Sequence, residues 1–274
     1  MRIINAFPFF NELEMLEDRL KYLYDHVDYF LIVECDHTYS GMPKPLHFLE
    51  NIDRYKCFND KIIYYPYYAK NVHERYDFSI KPSPGSVMDL SMPQWQFEIE
   101  QRNNIGMVAQ SLQDDDMIIF NDLDEIPNFE IFDDLKNIVA QEVAVVLEQQ
   151  DFYYNLRSRF KNPLRVGSAS LKKHFCSMTT VALRAEAVAQ KYRIVPNAGW
   201  HLSYFMSKDK MAYKLESFAH QEFNFEYWKN PDRIQKCIDN KIDLFERPYE
   251  LEDTKREEFP ESFMKVFGKY YDYA

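Results

Sequence analysis

The sequence contains little of what marks disordered, fibrous or membrane-spanning proteins. Only 6 of its 274 residues are glycine and 13 are proline, too few for a collagen-like or low-complexity chain. No apolar run reaches the roughly 18 residues that a membrane-spanning helix needs. The opening residues, MRIINAFPFF, lack the long apolar core and cleavage site of a signal peptide. We therefore predict a soluble, globular, cytoplasmic protein with no transmembrane segment.

Basic residues are also in deficit, with 33 Lys and Arg against 44 Asp and Glu and a net charge of -11. Surfaces that bind nucleic acid or anionic lipid need clustered Lys and Arg, so neither partner is expected. The cysteines are scattered and form no CxxC pair, which argues against a zinc knot or a redox dithiol. An anionic small ligand would need local help from a divalent cation, helix N-termini or a few placed basic side chains.

What the sequence does contain is an alternation of short apolar runs with helical patterns. Apolar residues make up 46% of the chain, enough for a sizeable core. The apolar runs lie at residues 2–7, 29–34, 61–65, 117–120 and 143–147. This alternation predicts an α/β fold, with a mostly parallel Rossmann-type sheet and helices on both faces.

Beyond residue 154 the alternation weakens, and the individual segments are predicted one by one. We expect one domain over residues 1–274, in which 206–274 form a mainly helical C-terminal extension. The further predictions are a loop at 81–93, helices at 94–112, 127–141, 208–219 and 232–240, and strands at 180–183 and 199–205.

The strongest chemical signal is the sequence NDLDE, residues 121–125, at the end of the fourth apolar run. Ligands of open α/β sheets bind at the carboxyl ends of the strands. Asp122 and Asp124 would both turn toward that edge, where their carboxylates could share Mg²⁺ or Mn²⁺. The alternative is that these acids merely cap the helix predicted to begin at Pro127.

Four other polar residues could belong to the same site. Arg102, with Asn103 beside it, lies on the helix before the acidic strand end and could reach a diphosphate or the carboxylates themselves. Glu34 ends the second apolar run and could accept a hydrogen bond from a uracil N–H or a ribose hydroxyl. Either His201 or His220 could complete the coordination of the cation or contact a diphosphate. The alternatives are an ordinary ion pair for Arg102, a solvated acid for Glu34 and packed or exposed histidines.

Several segments occurring together and in order indicate a family. Residues 7–48, QRNNI, FNDLDEIP and GWHLSYF resemble glycosyltransferase family 17, over about residues 3 to 224. The resemblance implies a GT-A-like fold that binds a nucleotide-sugar donor, a divalent cation held by Asp122 and Asp124, and inversion at the anomeric carbon. By analogy with GT-A enzymes, Phe7, Asn11, Glu34 and Arg102 would line the nucleotide site together with Asp122.

The implied reaction is the metal-dependent transfer of a sugar, with N-acetylglucosamine as a candidate, from a UDP-linked donor to a glycan hydroxyl. The acceptor hydroxyl needs a general base, usually a carboxylate. Asp151 and Glu222 are both candidates, and the sequence does not choose between them. Aromatic rings suit the apolar faces of sugars, and those expected near the acceptor are Tyr153, Tyr154, Trp200 and Tyr204.

Two other functions remain open at this point. A metal-dependent phosphoesterase or nucleotidyltransferase would also use clustered carboxylates, and it predicts a second cluster for a two-metal site. A non-catalytic carbohydrate-binding protein predicts sugar binding that depends on neither nucleotide nor metal. The oligomeric state is not set by the sequence.

Overall fold

The computed structural model describes residues 1–79, 82–83 and 89–272. Of the loop expected at 81–93, residues 81 and 84–88 lie outside these described residues. The strands are β1 Ile3–Phe9, β2 Tyr29–Cys35, β3 Ile62–Tyr67, β4 Met117–Phe120, β5 Glu125–Pro127, β6 Val145–Tyr153, β7 Ser158–Phe160, β8 Leu164–Leu171, β9 Arg193–Ser203 and β10 Leu251–Asp253. The α-helices are α1 Leu13–Leu23, α2 His47–Glu50, α3 Val72–Arg75, α4 Pro93–Ala109, α5 Phe132–Val139, α6 Lys172–Phe175, α7 Thr180–Val188, α8 Lys208–Ser217, α9 Glu226–Lys229, α10 Pro231–Asp239 and α11 Glu261–Phe267.

These strands form one curled sheet in the order β10-β7-β6-β8-β4-β1-β2-β3, with β9 paired to both β6 and β5. The β3-β2-β1-β4 part is parallel, as the alternation of strands and helices requires. Next to it, β8 runs antiparallel to both β4 and β6, while β9 is parallel to β6. The carboxyl ends of β4, β6 and β9 consequently open toward the same region.

Apolar side chains cover both faces of the sheet. One cluster joins α1, α5 and α11 to the sheet through residues such as Leu16, Leu135 and Phe263. The other packs Ile105 of α4 and Leu183 of α7 against the opposite face. The α/β class, with helices on both faces, is therefore confirmed.

Two local predictions were wrong. The strand expected at 180–183 is the start of helix α7, whose N-cap Thr179 accepts a hydrogen bond from the Ala182 backbone N–H. Pro127 does not begin a helix, because it ends β5, which pairs antiparallel with β9. Helix α5 begins only at Phe132, after a 3₁₀ turn capped by Asn128.

The chain beyond residue 206 is mostly helical and is joined to the rest by packing and by one strand pair. Helix α11 packs on α1, with the Phe263 ring 4.2 Å from the Trp200 ring on β9. Strand β10 pairs antiparallel with β7. In the described ranges, no helix is both long and apolar enough to cross a membrane.

Candidate active site

Three neighbouring strands bring acidic residues and a histidine together. The chain leaves β4 at Phe120, makes a turn through Asp122 and Asp124, and enters β5, where Glu125 lies opposite His201 of β9. On the other side of β9, Asp151 of β6 also lies opposite His201. The backbone N–H of residue 202 donates to the Asp124 carbonyl over 2.8 Å, which ties the acidic turn to β9.

A glycine permits this close approach of β5 and β9. Gly199 lies opposite Pro127 and has φ near +152°, and a Cβ added there would be 2.1 Å from the Ile126 carbonyl oxygen. No residue with a side chain fits at that distance. The position of the acidic turn over β9 therefore depends on a glycine at residue 199.

His201 is held between two carboxylates. Its Nδ1 lies 2.7 Å from Asp151 Oδ1, and its Nε2 lies 3.7 Å from Asp124 Oδ1. An ionised carboxylate only accepts, so Nδ1 donates to Asp151 and Nε2 is the ring atom turned toward Asp124. Burial opposes protonation of the ring, but the carboxylates of Asp151 and Asp124 outweigh it and raise the pKa of His201 to about 9.

Asp122 is bonded to two arginines. Its Oδ2 accepts from Arg184 over 2.8 Å and from Arg102 over 3.1 Å, and Arg102 also donates to Oδ1. Burial alone would raise the pKa of Asp122, but the two guanidinium groups hold it well below its usual range. Arg184 also donates to Glu125 over 2.8 Å, so the acid and its arginines form a continuous, partly buried network.

The backbone of the acidic turn is fixed from behind by Arg19 of α1, whose side chain is fully buried. One of its Nη atoms donates to the carbonyl oxygens of residues 122, 123 and 125 over 2.7–2.9 Å. The remaining donors reach the side chains of Asn5 and Asn121. We name this group of contacts the Arg19 clamp. It uses the fork of a guanidinium, which offers five N–H groups in one plane.

A cleft of about 640 Å³ opens above these residues. Lys214 of α8 lies on its wall with its Nζ 3.3 Å from Asp124 Oδ2 and 3.8 Å from Glu12 Oε1. Burial lowers the pKa of Lys214, but the two carboxylates outweigh it and raise the pKa above its usual value. Lys214 is therefore a cation at neutral pH, next to the acidic turn.

The far side of the cleft is aromatic. Trp95, Phe218, Phe223 and Phe245 line it together with His220 and Glu222. His220 Nδ1 lies 2.6 Å from Glu222 Oε1, and the Trp95 ring meets the imidazole edge-on at 4.6 Å. The acidic and aromatic sides of one cleft suit a ligand with a charged part and a part that has apolar faces.

The structure brings most of the candidate residues from the sequence into this cleft. Its lining includes Arg102, Asp122, Asp124, Asp151, His201, His220 and Glu222. In the described part of the chain, no hydrogen bond or ion pair joins His220 to Asp122 or Asp124. His201 and His220 thus lie in different surroundings, the first among the acids and the second among the rings.

Phe7, Asn11 and Glu34 lie outside the cleft lining. Phe7 is fully buried in the core, with the Arg19 guanidinium 4.4 Å above its ring. Asn11 lies at the start of α1, where its backbone carbonyl accepts from the N–H of residue 13. Its neighbours Phe10 and Glu12 line the cleft instead.

Glu34 is fully buried and its carboxylate is already bonded. It accepts from Lys44 Nζ over 2.8 Å, from Tyr64 over 3.0 Å, and from the backbone N–H groups of His47 and Phe48 at the start of α2. These bonds give it a structural role, namely holding the segment after β2 against the sheet.

The expected aromatic residues divide in the same way. Tyr153 and Tyr204 line the cleft. Trp200 packs against Phe263 in the core, and the buried Tyr154 donates its hydroxyl to the Ile242 carbonyl over 2.8 Å. Only the first two are placed to meet a ligand.

The sequence analysis missed three basic residues of the site. Arg184 directly follows the segment interpreted as a strand, residues 180–183, and Lys214 lies in a helix where nothing distinguishes it from solvated lysines. Arg19 did carry a signal, because it interrupts the apolar face of α1 between Leu16 and Leu20. A basic residue within an apolar stripe needs buried acceptors.

Among the comparisons with known proteins, the match to a family model identifies the family. Residues 1–251 match the family description "Glycosyltransferase family 17". No curated protein matches the chain significantly. Among solved structures, the chain is similar to residues 1–349 of S. aureus TarS, with a TM-score of 0.42 and 11% identity, over 88% of this chain and 77% of that one. It is also similar to the galactosyltransferase LgtC in complex with donor and acceptor sugar analogues, with a TM-score of 0.36 and 9% identity, over 69% of this chain and 64% of that one.

Proposed function

The chain belongs to glycosyltransferase family 17, and from that premise we propose that it is a metal-dependent enzyme transferring a sugar from a UDP-linked donor to a glycan hydroxyl. N-acetylglucosamine is the first candidate for the sugar, and inversion is the proposed stereochemical course. The observation that carries the proposal is the single cleft whose lining combines acids, basic side chains and partly exposed rings. Such a cleft has charged groups for a diphosphate and aromatic faces for sugars.

The donor atoms in the cleft fit one hard divalent cation. Two ligand atoms that each lie about 2.1 Å from a common Mg²⁺ can be at most about 4.2 Å apart. Asp124 Oδ1 and His201 Nε2, at 3.7 Å, meet this condition, and the imidazole would give up its proton on binding. The described residues include no group of three or more acidic, histidine or cysteine side chains that could hold a metal, so water and phosphate oxygens would supply the remaining ligands.

The proposed roles of the residues follow from their contacts. Asp124 and His201 would hold the cation, and Asp151 fixes the ring orientation of His201 through Nδ1. Asp122 remains a proposed site residue, but its oxygens accept from Arg102 and Arg184. A cation bound here would stabilise the negative charge that develops on the leaving diphosphate.

The alternatives have less support. A two-metal phosphoesterase or nucleotidyltransferase predicts a second carboxylate cluster, and the described residues contain none of the required size. A carbohydrate-binding protein without activity has no use for the network of Arg102, Arg184 and Lys214 around the acidic turn. The proposal of sugar transfer accounts for both sides of the cleft.

A thermal-shift panel tests the proposal. UDP, GDP, CMP and their sugars are added with and without Mn²⁺, to the native chain and to Asp124→Ala. A ligand at about 100 times its Kd stabilises by about 2.7 kcal/mol, so UDP and UDP-N-acetylglucosamine with Mn²⁺ should raise the Tm by roughly 5 °C or more. Equal shifts without Mn²⁺ would contradict the metal, and shifts with free sugars alone would favour a binding protein.

A further inference from the structure

We propose that His220 is the general base that accepts the proton of the acceptor hydroxyl, and that Glu222 is the residue that positions it. This inference rests on the proposed sugar transfer. It replaces the simpler expectation that a carboxylate, either Asp151 or Glu222, takes the proton directly.

The two nitrogens of the His220 ring have different surroundings. Nδ1 lies 2.6 Å from Glu222 Oε1. An ionised carboxylate can only accept, so Nδ1 carries the hydrogen and the lone pair of the neutral ring is on Nε2. In the part of the chain that the structure describes, Nε2 has no hydrogen-bond partner and is not among the buried unpaired atoms. Its lone pair is therefore accessible from the cleft.

Glu222 is poorly placed to take a proton from a substrate itself. Only 7% of its side chain is exposed, against 42% for His220. The carboxylate is thus reached through the imidazole, which is the arrangement by which a buried acid fixes the tautomer and orientation of a histidine base. Asp151 has its own histidine, His201, on the acidic side of the cleft.

Aromatic rings hold the His220 imidazole on the side of the cleft where a sugar acceptor would lie. Its ring centroid is 4.6 Å from that of Trp95, 5.6 Å from that of Phe218 and 6.1 Å from that of Phe223. Helix α8 connects this region to the acidic turn, because Lys214 contacts Asp124 and the helix ends three residues before His220. The base and the proposed cation ligands therefore line the same cleft.

The proposed step transfers one glycosyl group and one proton. The acceptor oxygen forms a bond to the anomeric carbon while its O–H bond breaks, and the proton passes to His220 Nε2. The bond between the anomeric carbon and the diphosphate oxygen breaks, and its electron pair leaves with the diphosphate. The imidazolium, stabilised by Glu222, later returns the proton to water.

Slow hydrolysis of the donor, with water as the acceptor, allows a test without a known glycan. UDP release from UDP-sugars with Mn²⁺ is measured for the native chain, His220→Ala, His220→Gln and Glu222→Gln, with His174→Ala as the control. His174 lies on α6, away from the cleft lining. Melting temperature and the Kd for UDP with Mn²⁺ are measured on the same samples.

We expect both His220 variants to lose about 10²–10⁴-fold in kcat, with the Kd for UDP and the Tm close to those of His174→Ala. Glu222→Gln should lose a smaller factor, and added imidazole should restore part of the activity of His220→Ala in proportion to its concentration. The assignment is overturned if the kcat of His220→Ala is within threefold of the native value. It is also overturned if imidazole does not restore the activity of His220→Ala while Glu222→Gln keeps full activity. If the native chain releases UDP from no donor in the panel, the proposed function itself fails.

Discussion

Replacing Arg19 by lysine tests whether the Arg19 clamp sets the geometry of the cleft from outside it. The substitution keeps the positive charge and most of the aliphatic stem, but it exchanges a planar fork of five donors for an ammonium with three. Arg19 is fully buried and does not line the cleft. Any effect on ligand binding must therefore pass through the backbone of the acidic turn.

The size of the effect follows from the contacts. Arg19 makes five hydrogen bonds, to the carbonyls of residues 122, 123 and 125 and to the side chains of Asn5 and Asn121. A lysine can keep at most three of them, and each lost bond from a charged donor is worth about 1.5–3 kcal/mol. The carbonyls of residues 122 and 125 each accept a hydrogen bond from a second donor, so losing the bond from Arg19 does not leave them unpaired. We therefore expect the loss of two bonds to cost near the lower end of that range, about 3–4 kcal/mol in the free energy of unfolding.

Urea unfolding followed by circular dichroism and by tryptophan fluorescence measures that loss, with Arg54→Lys as the matched control. Arg54 forms a partly exposed ion pair with Glu17, so its substitution should change the free energy by less than about 1 kcal/mol. Under strongly native conditions, Arg19→Lys should also bind UDP with Mn²⁺ less tightly, because the carboxylate of Asp124 is displaced. A loss below about 1 kcal/mol together with native UDP affinity would refute the role of the clamp.

Three further changes have separate expected outcomes. Asp124→Ala should weaken Mn²⁺-dependent UDP binding at least 100-fold while the Tm stays within a few degrees of native, and a normal Mn²⁺ titration would remove Asp124 from the site. Asp151→Ala should lower Mn²⁺ affinity about 10–100-fold by freeing the His201 ring, as calorimetry without nucleotide would show, and unchanged affinity would leave Asp151 without this role. For Asp116, burial would raise the pKa, but its hydrogen bonds to Arg2 outweigh that effect and lower it. The stabilisation by ionised Asp116 is therefore present above about pH 4 and is lost as the pH falls below that value. The unfolding free energy of Asp116→Asn should consequently decline less steeply between pH 5 and 2 than that of the native chain. Parallel curves for the two proteins would contradict the assignment.

Much of the parallel half of the fold could be predicted from the sequence, because its strands are short apolar runs ending in polar residues. The run at residues 117–120 matches β4 fully, and the acids after it, Asp122 and Asp124, do line a cleft. The pairing of β8 between β4 and β6 could not be predicted in this way. Which strands become neighbours depends on contacts between distant residues, and local periodicity does not record them.

The same limit explains the placement of individual site residues. Glu34 ends an apolar run, as a ligand-binding acid would, but its partners Lys44 and Tyr64 come from later segments that fold back over it. His201 and Asp151 are 50 residues apart and meet only because β6 and β9 pair in register. Residue type and position in a strand indicated which side chains could act, whereas the strand register determined which of them meet.

The anchoring of the acidic turn has a consequence for redesigning the enzyme. Its backbone is attached to α1 through Arg19 and to β9 through residue 202. Both attachments precede the segment that carries His220, Phe223 and Phe245. A combinatorial library confined to residues 223–250, which include the cleft-lining Phe223, Phe245 and Arg247, would vary the proposed acceptor wall while keeping His220, Glu222 and those two attachments intact. Variants with new acceptor preferences should therefore be found in such a library without changes to the proposed donor site. Randomising α1, in contrast, would weaken donor binding through Arg19, which never touches the ligand.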